Sequence, residues 1–122
     1  MEEKNELDTR YEVLKIALQE QNISDFRENF LELHIYEQGQ FYESLTEKER
    51  VQMYSYLSPK ELADMFDSLE EDEDALKEYL EEMRPSYAAA MLSAMYTDNA
   101  VDLLNLLGKK DTAKYLSLMS PE

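Results

Sequence analysis

The sequence contains no cysteine among its 122 residues. This absence excludes disulfides, thiolate metal sites and cysteine nucleophiles, and it fits a reducing compartment. Turn-forming residues are also scarce, with two glycines and three prolines, whereas an all-β fold needs many more of them. No apolar run approaches the roughly 18–20 residues that span a bilayer, and the polar, acidic first six residues do not form a secretory signal. We therefore expect a soluble, cytoplasmic, helical chain.

Positive charge is the other shortage. The chain has 12 basic and 28 acidic residues, which gives a net charge of −16. Such a surface repels nucleic acid and anionic lipid, because both require a positive footprint, and it attracts cations and basic partners. The 43% of hydrophobic residues is too high for a disordered chain and is sufficient for one packed domain.

A repeat runs through most of the chain. Apolar residues recur at intervals of 12, with a single interval of 14, and are termed the repeat residues: Leu33, Leu45, Leu57, Leu69, Met83, Met95, Leu107 and Met119. Further apolar residues lie three and four positions before each later repeat residue, which is the spacing of one helix face.

Short helices of this kind are marginal alone and stack on one another. We predict an all-α, armadillo-like superhelical solenoid of about nine short helices. Residues 1–21 form an N-terminal amphipathic helix, and residues 22–122 form the helical-repeat superhelix, in one domain with 1–21.

Local signals place the helix ends. Thr46 with Glu49 and Ser58 with Glu61 have the spacing of capping boxes. Gly108 follows Leu107, at a position where a helix C-terminus favours a left-handed residue. The final Met119-Ser120-Pro121-Glu122 resembles the start of a further helix, so we expect the native polypeptide to continue.

The acidic stretch 70–74 does not fit a calcium loop. An EF-hand requires glycine at its sixth position, and counting from Asp72 that position is Lys77. We expect Asp72 or Asp74 to cap a helix instead.

Catalysis finds no support in the sequence. The single histidine, His34, lies at a predicted helix junction outside any motif, and both the nucleophile elbow and the Gly-rich phosphate loop are absent. Asp98 and Asp102 are more informative, because residues four apart share a helix face and like charges there weaken a helix by a few tenths of a kcal/mol. Either they are solvated residues of a helix start, or they form half of a hard-cation site.

The stretch Met95-Tyr96-Thr97-Asp98-Asn99-Ala100-Val101-Asp102-Leu103-Leu104 resembles a motif near the end of the cytoplasmic N-domain of the MgtE family of bacterial magnesium transporters. The 12-residue repeat and the stretch Leu57-Ser58-Pro59-Lys60-Glu61-Leu62-Ala63-Asp64-Met65-Phe66 are similar to this family too. The resemblance covers residues 22–122. The family motif often carries an acid directly after the first Asp, where this chain has Asn99.

The resemblance implies a regulatory domain on the cytoplasmic side of the bacterial membrane. CBS domains and a transmembrane magnesium pore, which these 122 residues do not contain, would follow it in a homodimeric transporter. Mg²⁺ would bind weakly to this domain alone and would bridge acidic faces of the N- and CBS domains to close the pore. The implied metal ligands are Asp98, Asp102 and, from the earlier repeat, Asp64. The alternative is a protein-interaction scaffold, similar to a motor-switch adaptor, without a metal role.

Overall fold

The computed structural model describes residues 6–69 and 72–119. In these ranges the chain forms nine helices and no strand. They are α1 (Glu6–Glu20), α2 (Ile23–Leu31), α3 (Ile35–Glu43), α4 (Glu47–Tyr56), α5 (Pro59–Phe66), α6 (Glu73–Glu82), α7 (Pro85–Ala94), α8 (Thr97–Leu106) and α9 (Lys109–Leu118). The predicted all-α helical repeat is confirmed.

The helices group into two compact units, Met1–Leu57 and Ser58–Glu122. The predicted extent of the domain, residues 22–122 together with 1–21, stays a prediction. In the first unit, α1 packs on α2, and both contact α4. Aromatic rings fill much of its core: the centroids of Phe26 and Phe30 lie 5.3 Å apart, and those of Phe26 and Tyr56 lie 5.6 Å apart.

The second unit has two layers. Helix α7 packs between α5 and α9, and α6 packs on α8. Helices therefore pack mainly on the second helix along the chain, rather than on the next one. The first layer is closely packed because α7 presents small side chains, with Ala88 and Ala89 fully buried. Other fully buried side chains of this unit are Leu62, Ala63, Met65, Leu80 and Met91.

The repeat residues lie at the helix ends. Leu57, Met83, Met95 and Leu107 follow the last residues of α4, α6, α7 and α8 in extended backbone conformation. All four are at most 6% exposed. Each N–H donates to a carbonyl of the preceding turn. The residue therefore terminates its helix and buries its side chain at the junction with the next helix. The 12-residue repeat thus marks corners as well as helix faces.

The starts of α4, α5 and α6 carry the predicted caps. Thr46 Oγ1 accepts from Glu49 N at 3.3 Å, and Thr46 N donates to Glu49 Oε1 at 3.0 Å. Ser58 and Glu61 form the second box, with distances of 3.2 and 2.9 Å. Asp72 caps α6 by accepting from the N–H of residue 75 at 2.8 Å. These predictions are confirmed.

Two positions differ from expectation. His34 has a structural role that its sequence context did not indicate: its Nδ1 caps α3 by accepting from Tyr36 N at 3.2 Å, and Glu37 completes a capping box. The prediction of a left-handed Gly108 is wrong, because its φ is −66° and it precedes α9 as an extended N-cap residue. The predicted further helix start falls on residues 119–122, of which 120–122 lie outside the described residues.

Candidate cation-binding site

Helix α8 presents two opposite faces. Ala100, Leu103 and Leu104 are buried, whereas Asp98 and Asp102 are exposed one helical turn apart. This is the arrangement that the four-residue spacing predicted. The exposed face can offer two carboxylates to a cation, and hard cations such as Mg²⁺ prefer oxygen ligands.

The start of α8 also favours negative charge. Asp98 lies in the first turn, where the N-terminal end of the helix dipole stabilises an anion by about 0.3–1 kcal/mol. Asp102 lies beyond that turn and gains little from the dipole. A ligand role would therefore have to compensate for the repulsion between the two carboxylates.

Asp64 is exposed on α5, in the layer formed with α7 rather than in that of α8. Within residues 6–69 and 72–119, neither Asp64 nor the α8 pair belongs to a group of three acidic or histidine side chains with ligand atoms within 4.8 Å of one another. The donor set fits a partly hydrated hard cation, whose remaining ligands must be water or another surface.

One carboxylate near α8 has no counterpart in the sequence prediction. Asp67 ends α5, yet its Oδ1 accepts from Tyr96 N at 3.2 Å and from Asn99 Nδ2 at 2.9 Å. Its Oδ2 lies 3.3 Å from the same Tyr96 N. An acid at a helix C-terminus opposes the helix dipole, but α1, α3 and α6 also end on an acid, namely Glu20, Glu43 and Glu82, so the sequence did not single out Asp67.

A cleft joins this carboxylate to the predicted pair. It has a volume of about 200 Å³, and Asp67, Asn99 and Asp102 form its polar part. Its apolar wall consists of Phe66, Leu69, Leu76, Met95, Leu103 and Leu106. Asp98 is not among the lining residues, so the predicted pair faces both the cleft and open solvent.

Two tyrosines of the second unit have raised pKa values, mainly because they are buried, and nearby carboxylates add to the shift. Burial, followed by the carboxylates of Asp111 and Glu81, raises the pKa of Tyr115. Burial, followed by Glu61, raises the pKa of Tyr87 well above its usual value.

These features define the chain as an all-α helical-repeat domain with an acidic exposed helix. The model of the family described as the MgtE intracellular N domain matches residues 33–122. The magnesium transporter MgtE of Enterococcus faecalis (strain ATCC 700802 / V583) is 62% identical over 89 residues, which are 73% of this chain and 20% of that protein. A crystal structure of the soluble part of a magnesium transporter is similar with a TM-score of 0.90 and 63% identity, covering 94% of this chain and 45% of that one.

The chain belongs to the family of MgtE intracellular N domains. The predicted resemblance is thereby confirmed. The relatives are a transporter and part of a transporter, which is a transport role rather than catalysis. The chain spans a fifth of the length of the curated relative. Among the described residues, the helices are too short or too polar for any of them to cross a membrane.

Proposed function

We propose that this chain is the cytosolic regulatory domain of a bacterial magnesium transporter and senses intracellular Mg²⁺. The observation that carries the proposal is the exposed Asp98 and Asp102 pair on α8, in a chain of the MgtE intracellular N domain family. Asp64 is the third proposed ligand. The partners are the CBS domains of the same polypeptide, in a homodimer at the cytoplasmic side of the membrane.

The charge of the domain supplies the mechanism. At a net charge of −16, an acidic face of this domain repels an acidic face of a CBS domain, which favours an open arrangement. The two α8 carboxylates offer oxygen ligands to a hydrated Mg²⁺, and such an ion often keeps several of its waters. When bound between the faces, Mg²⁺ neutralises the repulsion and links the two surfaces.

The exposure of the pair explains why affinity should depend on domain closure. Two solvated carboxylates on one surface provide too few ligands for tight binding, so we expect weak Mg²⁺ binding by the isolated domain. A second acidic surface adds ligands only in the closed arrangement. The ion then shifts the population toward closure by its differential affinity for the two states, and closure gates the pore.

The test uses the intact transporter that carries this domain. Asp98→Asn together with Asp102→Asn removes two charges while keeping side-chain size. We expect the Mg²⁺ concentration that half-protects the protein from limited proteolysis to rise by about tenfold or more, because a hydrogen bond or ion contact to a charged group contributes about 1.5–3 kcal/mol.

A matched control is available at the end of α2, where Glu28 lies in the helix and Glu32 is its C-cap residue. Glu28 and Glu32 are also exposed and four residues apart, so Glu28→Gln with Glu32→Gln removes the same charge elsewhere. This variant should protect as the unmodified protein does. Equal shifts of the half-protecting Mg²⁺ concentration in the two double variants would refute the assignment of Asp98 and Asp102. If Mg²⁺ has no effect on the proteolysis of the unmodified protein, the interaction scaffold is favoured.

A further inference from the structure

Helix α8 lacks a cap of its own. Its N-cap residue, Tyr96, makes no side-chain capping bond, whereas Thr46, Ser58 and Asp72 cap α4, α5 and α6 from within the local sequence. The free N–H groups of a helix start require an acceptor. The N-cap residues of α7 and α9 make no such bond either, but at the start of α8 the N–H of Tyr96 itself donates to Asp67, 29 residues earlier in the chain.

We propose that Asp67 is a positioning residue for the α8 carboxylate pair. This inference rests on the proposed cation-sensing function. The carboxylate holds the first turn of α8 through Tyr96 N at 3.2 Å and through the Asn99 amide at 2.9 Å. Asp98 lies between these two attachment points in the sequence, so its backbone is fixed on both sides. The same hold orients the turn that leads to Asp102.

The residue at position 99 is matched to this role. Asn99 is only partly exposed, and its amide donates the shorter of the two bonds to Asp67 Oδ1. A carboxylate at position 99 has no proton to donate at neutral pH and would repel Asp67. With Asn99 in place of an acid, the chain lacks a possible carboxylate ligand at this position, but the first turn of α8 is fixed by the bond to Asp67.

The position of Asp67 gives its charge a second effect. It lines the same cleft as Asp102 and Asn99, so it adds negative potential beside the pair while its oxygens are engaged in hydrogen bonds. Groups that orient metal ligands typically change metal affinity when they are removed. Positioning and charge can be separated, because Asn at position 67 keeps an acceptor oxygen and loses only the charge.

The first measurement concerns the cap alone. In Asp67→Ala, amide hydrogen exchange at Tyr96, which donates to Asp67, and at Ala100, which donates to Tyr96 O, should accelerate about fivefold in the 122-residue chain, which corresponds to a contact worth about 1 kcal/mol. Asp67→Asn should retain most of the protection. Unchanged exchange in Asp67→Ala would overturn the proposal.

The second measurement uses Mn²⁺ alone as a paramagnetic probe of the same chain. We expect the Mn²⁺ concentration that half-broadens the amide signals of Asp98 and Asp102 to rise about threefold in Asp67→Ala, below the range seen for tight metal sites because this pair is exposed. Asp67→Asn should restore most of the affinity. Asp74→Ala, which removes one exposed charge from the start of α6, should have little effect.

The outcomes separate the two proposals. Equal Mn²⁺ shifts in Asp67→Ala, Asp67→Asn and Asp74→Ala would mean that Asp67 acts through charge alone, which overturns the positioning role. If Asp98→Asn with Asp102→Asn leaves the broadening unchanged, the proposed cation site itself fails, even if the exchange data still establish Asp67 as the cap of α8.

Discussion

A buried amide in the first unit provides a quantitative test of its packing. Gln38 on α3 is 5% exposed, and its Nε2 donates to Phe30 O at 3.1 Å and to Leu33 O at 3.4 Å. It thereby ties the start of α3 to the end of α2. Gln38→Met keeps the length of the side chain and removes the amide, whereas Gln38→Ala removes packing as well.

The expected losses follow from these contacts. Phe30 O keeps a second partner, the N–H of Leu33 at 3.0 Å, so the Met variant forfeits about 1 kcal/mol there. Leu33 O, which accepts from the same amide at 3.4 Å, loses that bond and adds about 1 kcal/mol to the loss. We expect a total of about 2 kcal/mol for Gln38→Met and about 3 kcal/mol for Gln38→Ala, since the one methylene lost at Cγ adds about 0.8 kcal/mol.

Urea unfolding followed by far-ultraviolet circular dichroism measures these differences. With a slope of about 2 kcal/mol per molar urea, the midpoint of Gln38→Met should fall by about 1 M. Gln19→Met on the exposed side of α1 is the control and should shift the free energy of unfolding by less than about 0.5 kcal/mol. If the two Met variants unfold at the same midpoint, the hydrogen bonds of Gln38 do not stabilise the fold.

Two further perturbations address packing and pH. Ala89 is fully buried on α7, so Ala89→Leu should lower the free energy of unfolding by about 1–3 kcal/mol through overpacking, while Ala90→Leu on the exposed side should not; equal urea midpoints would contradict the close packing of α7. Burial raises the pKa of Glu49, but hydrogen bonds from Thr46 and the Lys15 ammonium outweigh it and lower the pKa below 4.5. The contribution of Glu49 to folding stability is therefore present above pH 4.5 and is lost as the pH falls through the lower pKa of the folded state. Glu49→Gln should be less stable than the unmodified chain at pH 7 and should lose less stability on acidification. Glu28→Gln should show neither difference. If the free energy of unfolding of both variants follows the same pH dependence, the Lys15 contact contributes nothing.

The sequence was sufficient for the local structure because the relevant interactions span a few residues. The boxes at Thr46 and Ser58 join positions three apart, and the apolar spacing that marks a helix face is equally local. The exposure of Asp98 and Asp102 followed from the same periodicity. Their role as ligands is a different kind of statement and stays a prediction.

Interactions between distant parts of the chain were beyond this reasoning. Asp67 contacts Tyr96 across 29 residues, and no pattern of spacing encodes which corner meets which helix start. Equivalent positions of the repeat also differ: six residues before a repeat residue, Ala63 and Ala89 are fully buried, whereas Val51 and Val101 are 45% and 46% exposed. The helices of the repeat have different neighbours, so equivalent positions do not share one environment.

The layering of the second unit limits how its length can change in evolution. The first-layer helices α5, α7 and α9 begin at residues 59, 85 and 109, which are 26 and 24 residues apart. Two periods, one helix from each layer, are therefore the modular unit. Deletion of a single period before α8 would transfer it to the other layer and turn the face that carries Asp98 against new neighbours. Gain or loss of a helix pair would leave every later helix in its own layer, so related domains should differ in length by pairs of helices.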